Sequence, residues 1–133
     1  MKTAVLSMDI EDWYHLDYFK RDQCDESYSM LDGLDIYREI LTYNKIVSSF
    51  FVLGELAEPL HTILRGLVKE NHEIGSHGWD HIKPMKIGPD SFFEDLTKSK
   101  NAIENILGVQ IEGYRAPCFS MNRERLDLVK KVG

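Results

Sequence analysis

The sequence predicts an α/β fold carried by a parallel sheet of about four βα units. Three observations point there. Short β-branched or aromatic runs alternate with longer stretches of helical periodicity, the strand-like runs end in polar clusters, and no linker, repeat or low-complexity tract divides the chain. Thr3 to Met8 is an apolar run reaching Asp9 and predicts the first strand. Ile36 to Tyr43 predicts a helix after a long connection, and Ile46 to Leu53, β-branched and aromatic, a second strand. Leu60, Ile63, Leu64, Leu67 and Val68 recur as an amphipathic stripe behind Glu58-Pro59. His72 to Ser76 predicts a third strand. Pro89 opens the next helix, whose stripe is Phe92, Leu96, Ser99, Ile103 and Ile106, and Gly108 stops it. Val109 to Tyr114 predicts a fourth strand and Arg123 to Lys131 a last helix. Strands that alternate with covering helices join by right-handed crossovers.

Composition narrows the function. The 133 residues hold 16 Lys+Arg against 22 Asp+Glu, a net charge of −6, the wrong sign for a protein that draws its affinity from nucleic-acid phosphates. Apolar residues at 43% and charged residues at 29% are those of a globular domain. No apolar run approaches the ~20 residues of a membrane span. Met1-Lys2 and the brief Thr3 to Leu6 run are too short for a secretory signal, so the sequence leads us to expect a cytoplasmic protein. Cys24 and Cys118 stand in no metal-binding spacing and are expected as free thiols.

In parallel α/β folds the binding crevice lies beyond the carboxyl ends of the strands. Three polar clusters fall there: Asp9 to His15, Ser76 to His81, and Gly113 to Phe119. The His77-x-x-x-His81 pair with a nearby carboxylate suits zinc or a similar ion and leaves coordination positions open for chemistry. Asp9 can then serve as general base, Arg115 can keep it ionised, and backbone N–H groups after Pro117 can face an oxyanion. Each cluster also has an ordinary reading. Asp9 and Asp12 suit helix caps, Arg115 a surface ion pair, and Trp13, Tyr14 and Trp79 plain packing. Their joint occurrence at three strand ends favours a site.

Asp9-Ile10-Glu11-Asp12-Trp13, His77-Gly78-Trp79-Asp80-His81 and Arg115-Ala116-Pro117 together resemble the first three motifs of the polysaccharide deacetylases, the NodB-homology or carbohydrate esterase family 4 group. Ser49 to Gly54 and His72 to His77 are similar to that family's connecting strands. The resemblance implies the N-terminal half of a distorted (β/α) barrel and metal-dependent removal of N- or O-acetyl groups from the sugars of a polysaccharide or glycan precursor. It implies that Asp9 is the base, that His77 and His81 bind the metal, most simply Zn²⁺, and that Arg115 orients the base. It also implies that the Cys118 amide lines the oxyanion hole and that Trp13 and Pro117 contact substrate. The commonest first motif has adjacent aspartates, whereas here Asp9 is followed by Glu11 and Asp12. Asp12 is taken as the carboxylate ligand with Glu11 the alternative, which strand alternation favours because Glu11 shares a face with Asp9.

The family's fourth and fifth motifs, with their late His, have no counterpart in this sequence, and a complete barrel takes about 250 residues. Residues 1–133 are therefore read as one such domain truncated at its C-terminus, with a missing half or a homo-oligomer expected to cover the open sheet. The expected partner is a carbohydrate substrate. The alternatives are a non-catalytic module binding glycan or a partner chain, and an amidohydrolase acting on a small cyclic amide such as allantoin.

Overall fold

Four short strands, β1 (Ser7–Ile10), β2 (Ser49–Val52), β3 (Glu73–Ser76) and β4 (Gly113–Tyr114), form one sheet in sequence order, every pair parallel. The coordinates are a computed structural model that describes residues 3–133; Met1 and Lys2, which entered the reading of the N-terminus, lie outside the described residues. The crossovers carry α1 (Leu34–Asn44), α2 (His61–Lys69) and α3 (Pro89–Leu107), and α4 (Arg123–Val132) follows β4. This is the expected order of four βα units.

The strand bounds differ from expectation for a shared reason. Pairing with a neighbour, not the apolar run itself, decides where a strand lies. β1 begins at Ser7 rather than Thr3, where pairing with β2 starts, and Val5 is 88% exposed. Asp9 consequently sits inside the strand, opposite Phe51, rather than beyond its end. β4 keeps only Gly113 and Tyr114 of the expected Val109 to Tyr114 run, since only these two pair with β3. α2 starts at His61, so Pro59 precedes it, whereas α3 does begin on Pro89 and ends on Gly108 in the left-handed region at φ +70°.

Alternation along the strands sorts the side chains. Ile10, Phe50, Val52 and Ile74 point to the helix-covered face and join Leu41, Leu64, Leu67 and Ile103 in the core. Each such side chain stabilises the fold by roughly 1.5–3 kcal/mol on burial. The other face carries the register row Asp9, Phe51, Gly75 and Gly113. Gly75 is required there, because a Cβ would stand 2.7 Å from the Gly113 carbonyl oxygen and 2.9 Å from the Phe51 ring. Two residues further along each strand, the same alternation brings Glu11, His77 and Arg115 to the rim above this row. Among the described residues, no helix is long and apolar enough to cross a membrane.

Candidate metal centre

Arg115 ties the first strand to the fourth. Its Nη1 donates to Asp9 Oδ1 at 2.6 Å and its Nη2 to Ser7 Oγ at 2.7 Å. The guanidinium lies 4.1 Å above the centre of the Phe51 ring, so the floor of the rim is an aromatic face with a cation stacked on it. The Arg115 N–H donates to the Ser76 carbonyl at 2.9 Å, which fixes the residue at the end of β3.

The same residue orients His77 through its backbone. His77 Nδ1 stands 2.7 Å from the Arg115 carbonyl oxygen. A carbonyl only accepts, so Nδ1 carries the proton and Nε2 keeps a free lone pair. Burial pushes the His77 pKa down and outweighs Asp9, the Arg115 carbonyl and Glu11, which favour the charged form. The neutral ring is the form that binds a metal. Beyond His77 the chain doubles back: Gly78 at φ +83° and His81 at φ +66° are both left-handed, and the two imidazoles end with centroids 5.2 Å apart.

Glu11 completes the cluster. Its Oε2 lies 2.8 Å from His81 Nε2 and 3.7 Å from His77 Nε2, and one ligand atom from each residue falls within 4.8 Å of the others. Donors around a tetrahedral zinc stand roughly 3.4 Å apart. Glu11 Oε2 is buried and, despite its nearness to His81, has no partner in hydrogen-bond geometry. Burial opposes ionisation of Glu11, but the close contact with His81, aided more weakly by His77 and His15, prevails and holds its pKa below the usual carboxylate value. A buried, ionised, unpartnered oxygen facing two imidazoles fits a divalent cation.

Asp12, expected as the ligand, does not join this group. Its Oδ1 accepts from the N–H groups of Trp13 and Met30, both at 2.9 Å, and its Oδ2 accepts from Ser29 Oγ. It is the N-cap of the short 3₁₀ turn Trp13–His15, the ordinary role open to an aspartate after a strand. Alternation explains the exchange, since Asp12 stands on the face opposite Asp9 and Glu11.

Three further expectations receive positions. Cys118 is exposed, with left-handed backbone at φ +53°, and among the described residues its N–H donates to no backbone carbonyl. Pro117 is buried, and a Cβ on Gly78 would meet its ring at 3.7 Å, so it packs against the His77 loop. Trp13 is half-buried; its indole N–H donates to the Tyr28 carbonyl at 3.0 Å and its ring stands edge-on to Tyr14 and Phe19, which makes it a packing residue of the first connection. Cys24 is also a free thiol.

Sequence reasoning missed Ser7, Phe51 and a support beneath Asp12. Ser7 was available, two residues before Asp9 on the same strand face. The support was not: the Asp12 N–H donates to His15 Nδ1 at 2.8 Å, His15 Nε2 donates to Glu55 Oε1 at 2.8 Å, and Arg21 donates to the same oxygen at 2.7 Å. Glu55 comes from the far end of β2, and no spacing announces that.

Comparison with known proteins places the molecule. The family model described as polysaccharide deacetylase matches residues 34–133, and the chain belongs to that family. A peptidoglycan-N-acetylglucosamine deacetylase from Bacillus cereus is 27% identical over 77 residues, 58% of this chain and 28% of that protein. A crystal structure assigned to the polysaccharide deacetylases, from Mycobacterium smegmatis, superposes with a TM-score of 0.82 at 26% identity, covering 97% of this chain and 48% of that one. A pseudoenzyme of carbohydrate esterase family 4 from Bacillus anthracis superposes at 0.76 with 18% identity, covering 96% and 39%. The four βα units thus have the fold of part of the barrel in these proteins. The chain spans about a third of the length of the curated relatives it matches.

Proposed function

We propose that the chain carries the base and the metal-holding side of a hydrolase that removes acetyl groups from N-acetylated, or O-acetylated, sugars of a polysaccharide or glycan precursor. The observation that carries this reading is the cluster of Glu11, His77 and His81 beside the Asp9–Arg115 pair. Glu11, His77 and His81 would hold a divalent ion, most simply Zn²⁺, which when bound acidifies a water and polarises a carbonyl.

The chain's own groups do the rest. Asp9 Oδ1 is occupied by Arg115, so Oδ2 is the oxygen that takes the proton of the attacking water. Arg115 holds the Asp9 carboxylate in a fixed direction through that contact. The Cys118 N–H, which among the described residues donates to no backbone carbonyl, is the donor for the oxygen on which charge develops. Relatives named for peptidoglycan-N-acetylglucosamine and chitin support an N-acetylated polymer as the substrate.

Two measurements test this together. Elemental analysis of the purified chain and of Glu11→Gln should show zinc in the first and little in the second, and acetate should be released from N-acetylglucosamine oligomers. Equal, negligible metal in both would overturn the reading. The pseudoenzyme that shares this fold supports a second one, a module that binds glycan without turnover. Saturable oligomer binding with no acetate at high protein concentration would establish it.

A further inference from the structure

We propose that Asp95 and Ser99, one turn apart on α3, are positioning residues that hold the His77–His81 loop in its metal-binding shape, an inference that rests on the reading of the metal centre above. Among the described residues neither side chain hydrogen-bonds to a histidine; both act on the peptide groups between them. The Trp79 N–H faces both oxygens of the Asp95 carboxylate, at 3.3 and 3.2 Å. Ser99 Oγ donates to the Gly78 carbonyl at 2.8 Å and lies 2.7 Å from Ser76 Oγ, which in turn accepts from the Gly78 N–H at 3.1 Å. From the opposite side the Gly54 and Glu55 N–H groups donate to the carbonyls of Gly78 and Trp79, at 2.8 and 3.1 Å. The two N–H and two C=O groups of Gly78 and Trp79 are thereby all satisfied from outside the loop. Two left-handed residues bend the loop away from any regular pattern that would satisfy them internally.

The clamp is tight. A Cβ on Gly54 would stand 2.8 Å from Ser99 Cα, so α3 docks directly on the strand end, and the Lys98 ammonium lies 3.5 Å from the centre of the Trp79 ring. Burial holds the Asp95 carboxyl up at about 6, with Asp80 adding to the rise and the Trp79 N–H and Lys98 opposing it. A carboxylate kept in such a place costs stability, and its return is the geometry of the loop. Groups that orient metal ligands typically contribute 10–100-fold to affinity.

The experiment is Zn²⁺ titration of the 133-residue chain against a chromophoric chelator, with Asp95→Ala, Asp95→Asn and Ser99→Ala compared after circular dichroism confirms that each is folded. Asp95→Ala and Ser99→Ala should bind Zn²⁺ about 10–100-fold more weakly, and Asp95→Asn, which keeps one acceptor for the Trp79 N–H, should recover most of the loss. The Co²⁺ absorption spectrum should broaden in the two alanine variants and not in Asp95→Asn. Folded alanine variants that bind Zn²⁺ within about threefold of the parent would overturn the proposal. If Asp95→Ala does not fold, Ser99→Ala decides the matter by the same threshold. Should the parent itself bind no Zn²⁺, the metal reading fails, and amide exchange at Trp79 decides the clamp: no acceleration in Asp95→Ala relative to the α2 amides overturns it.

Discussion

The two loops that deliver the candidate ligands are held by opposite means. The turn after β1 is braced mainly by its own neighbourhood: Asp12 caps it, His15 returns a hydrogen bond to the Asp12 N–H, and Ser29 and Met30 of the same connection close on the carboxylate. The His77–His81 loop has one local brace, the Gly78 N–H on Ser76 Oγ, and borrows the other partners of Gly78 and Trp79 from α3 and from the end of β2. A ligand on a self-capped turn should tolerate distant changes, whereas one on a clamped loop should feel them.

The largest test asks which residue of the first turn meets the metal. Glu11→Gln and His77→Ala should each lose more than about 100-fold in Zn²⁺ affinity, while Asp12→Asn stays within about threefold, measured by chelator competition. A large loss in Asp12→Asn would return that residue to the ligand set and dissolve the contrast. Next, Asp9→Asn and Arg115→Ala should lower acetate release by about 10²–10⁴-fold with zinc content unchanged.

Stability separates the loops more finely. Gly54→Ala places a methyl against Ser99 Cα and the Trp79 ring, and thermal unfolding should show a loss of about 1–3 kcal/mol. Gly33→Ala, with open space and ordinary φ, should stay within about 0.5 kcal/mol. Removing the cap of the first turn with Asp12→Ala should cost about 1–2 kcal/mol.

The smallest effect is a pH slope. The Asp95 carboxyl titrates at about 6 when folded against 3.8 unfolded. A raised folded pKa favours the folded state below the unfolded value, and that contribution is lost as pH rises through the folded one. Between pH 4 and 6 the parent should therefore lose about 1–2 kcal/mol relative to Asp95→Asn, with partial exposure reducing the full linkage value. Parallel unfolding curves for the two proteins across this range would break the assignment.

The same contrast explains what was legible in the sequence. Asp9, Arg115 and the two histidines could be found because strand ends and motif spacing announce them, and the helix bounds at Pro89 and Gly108 follow from local chemistry. Glu11 could have been preferred over Asp12, since alternation already put it on the face of Asp9. The β1 and β4 bounds could not be found, because pairing partners lie far along the chain. Ser99 shows the limit best. Its place on the apolar stripe of α3 reads as burial, which is correct, but its hydroxyl serves Gly78 and Ser76, more than twenty residues upstream, and periodicity carries no trace of that.

Arg115 serves the site with two different parts of itself. Its side chain holds Asp9, and its main-chain oxygen sets the tautomer of His77. A carbonyl oxygen belongs to every amino acid, so substitution at position 115 strips one role and spares the other. If the proposed function holds, a single codon change here would let turnover and metal binding drift apart in a lineage, leaving a protein that keeps its shape after its chemistry has gone.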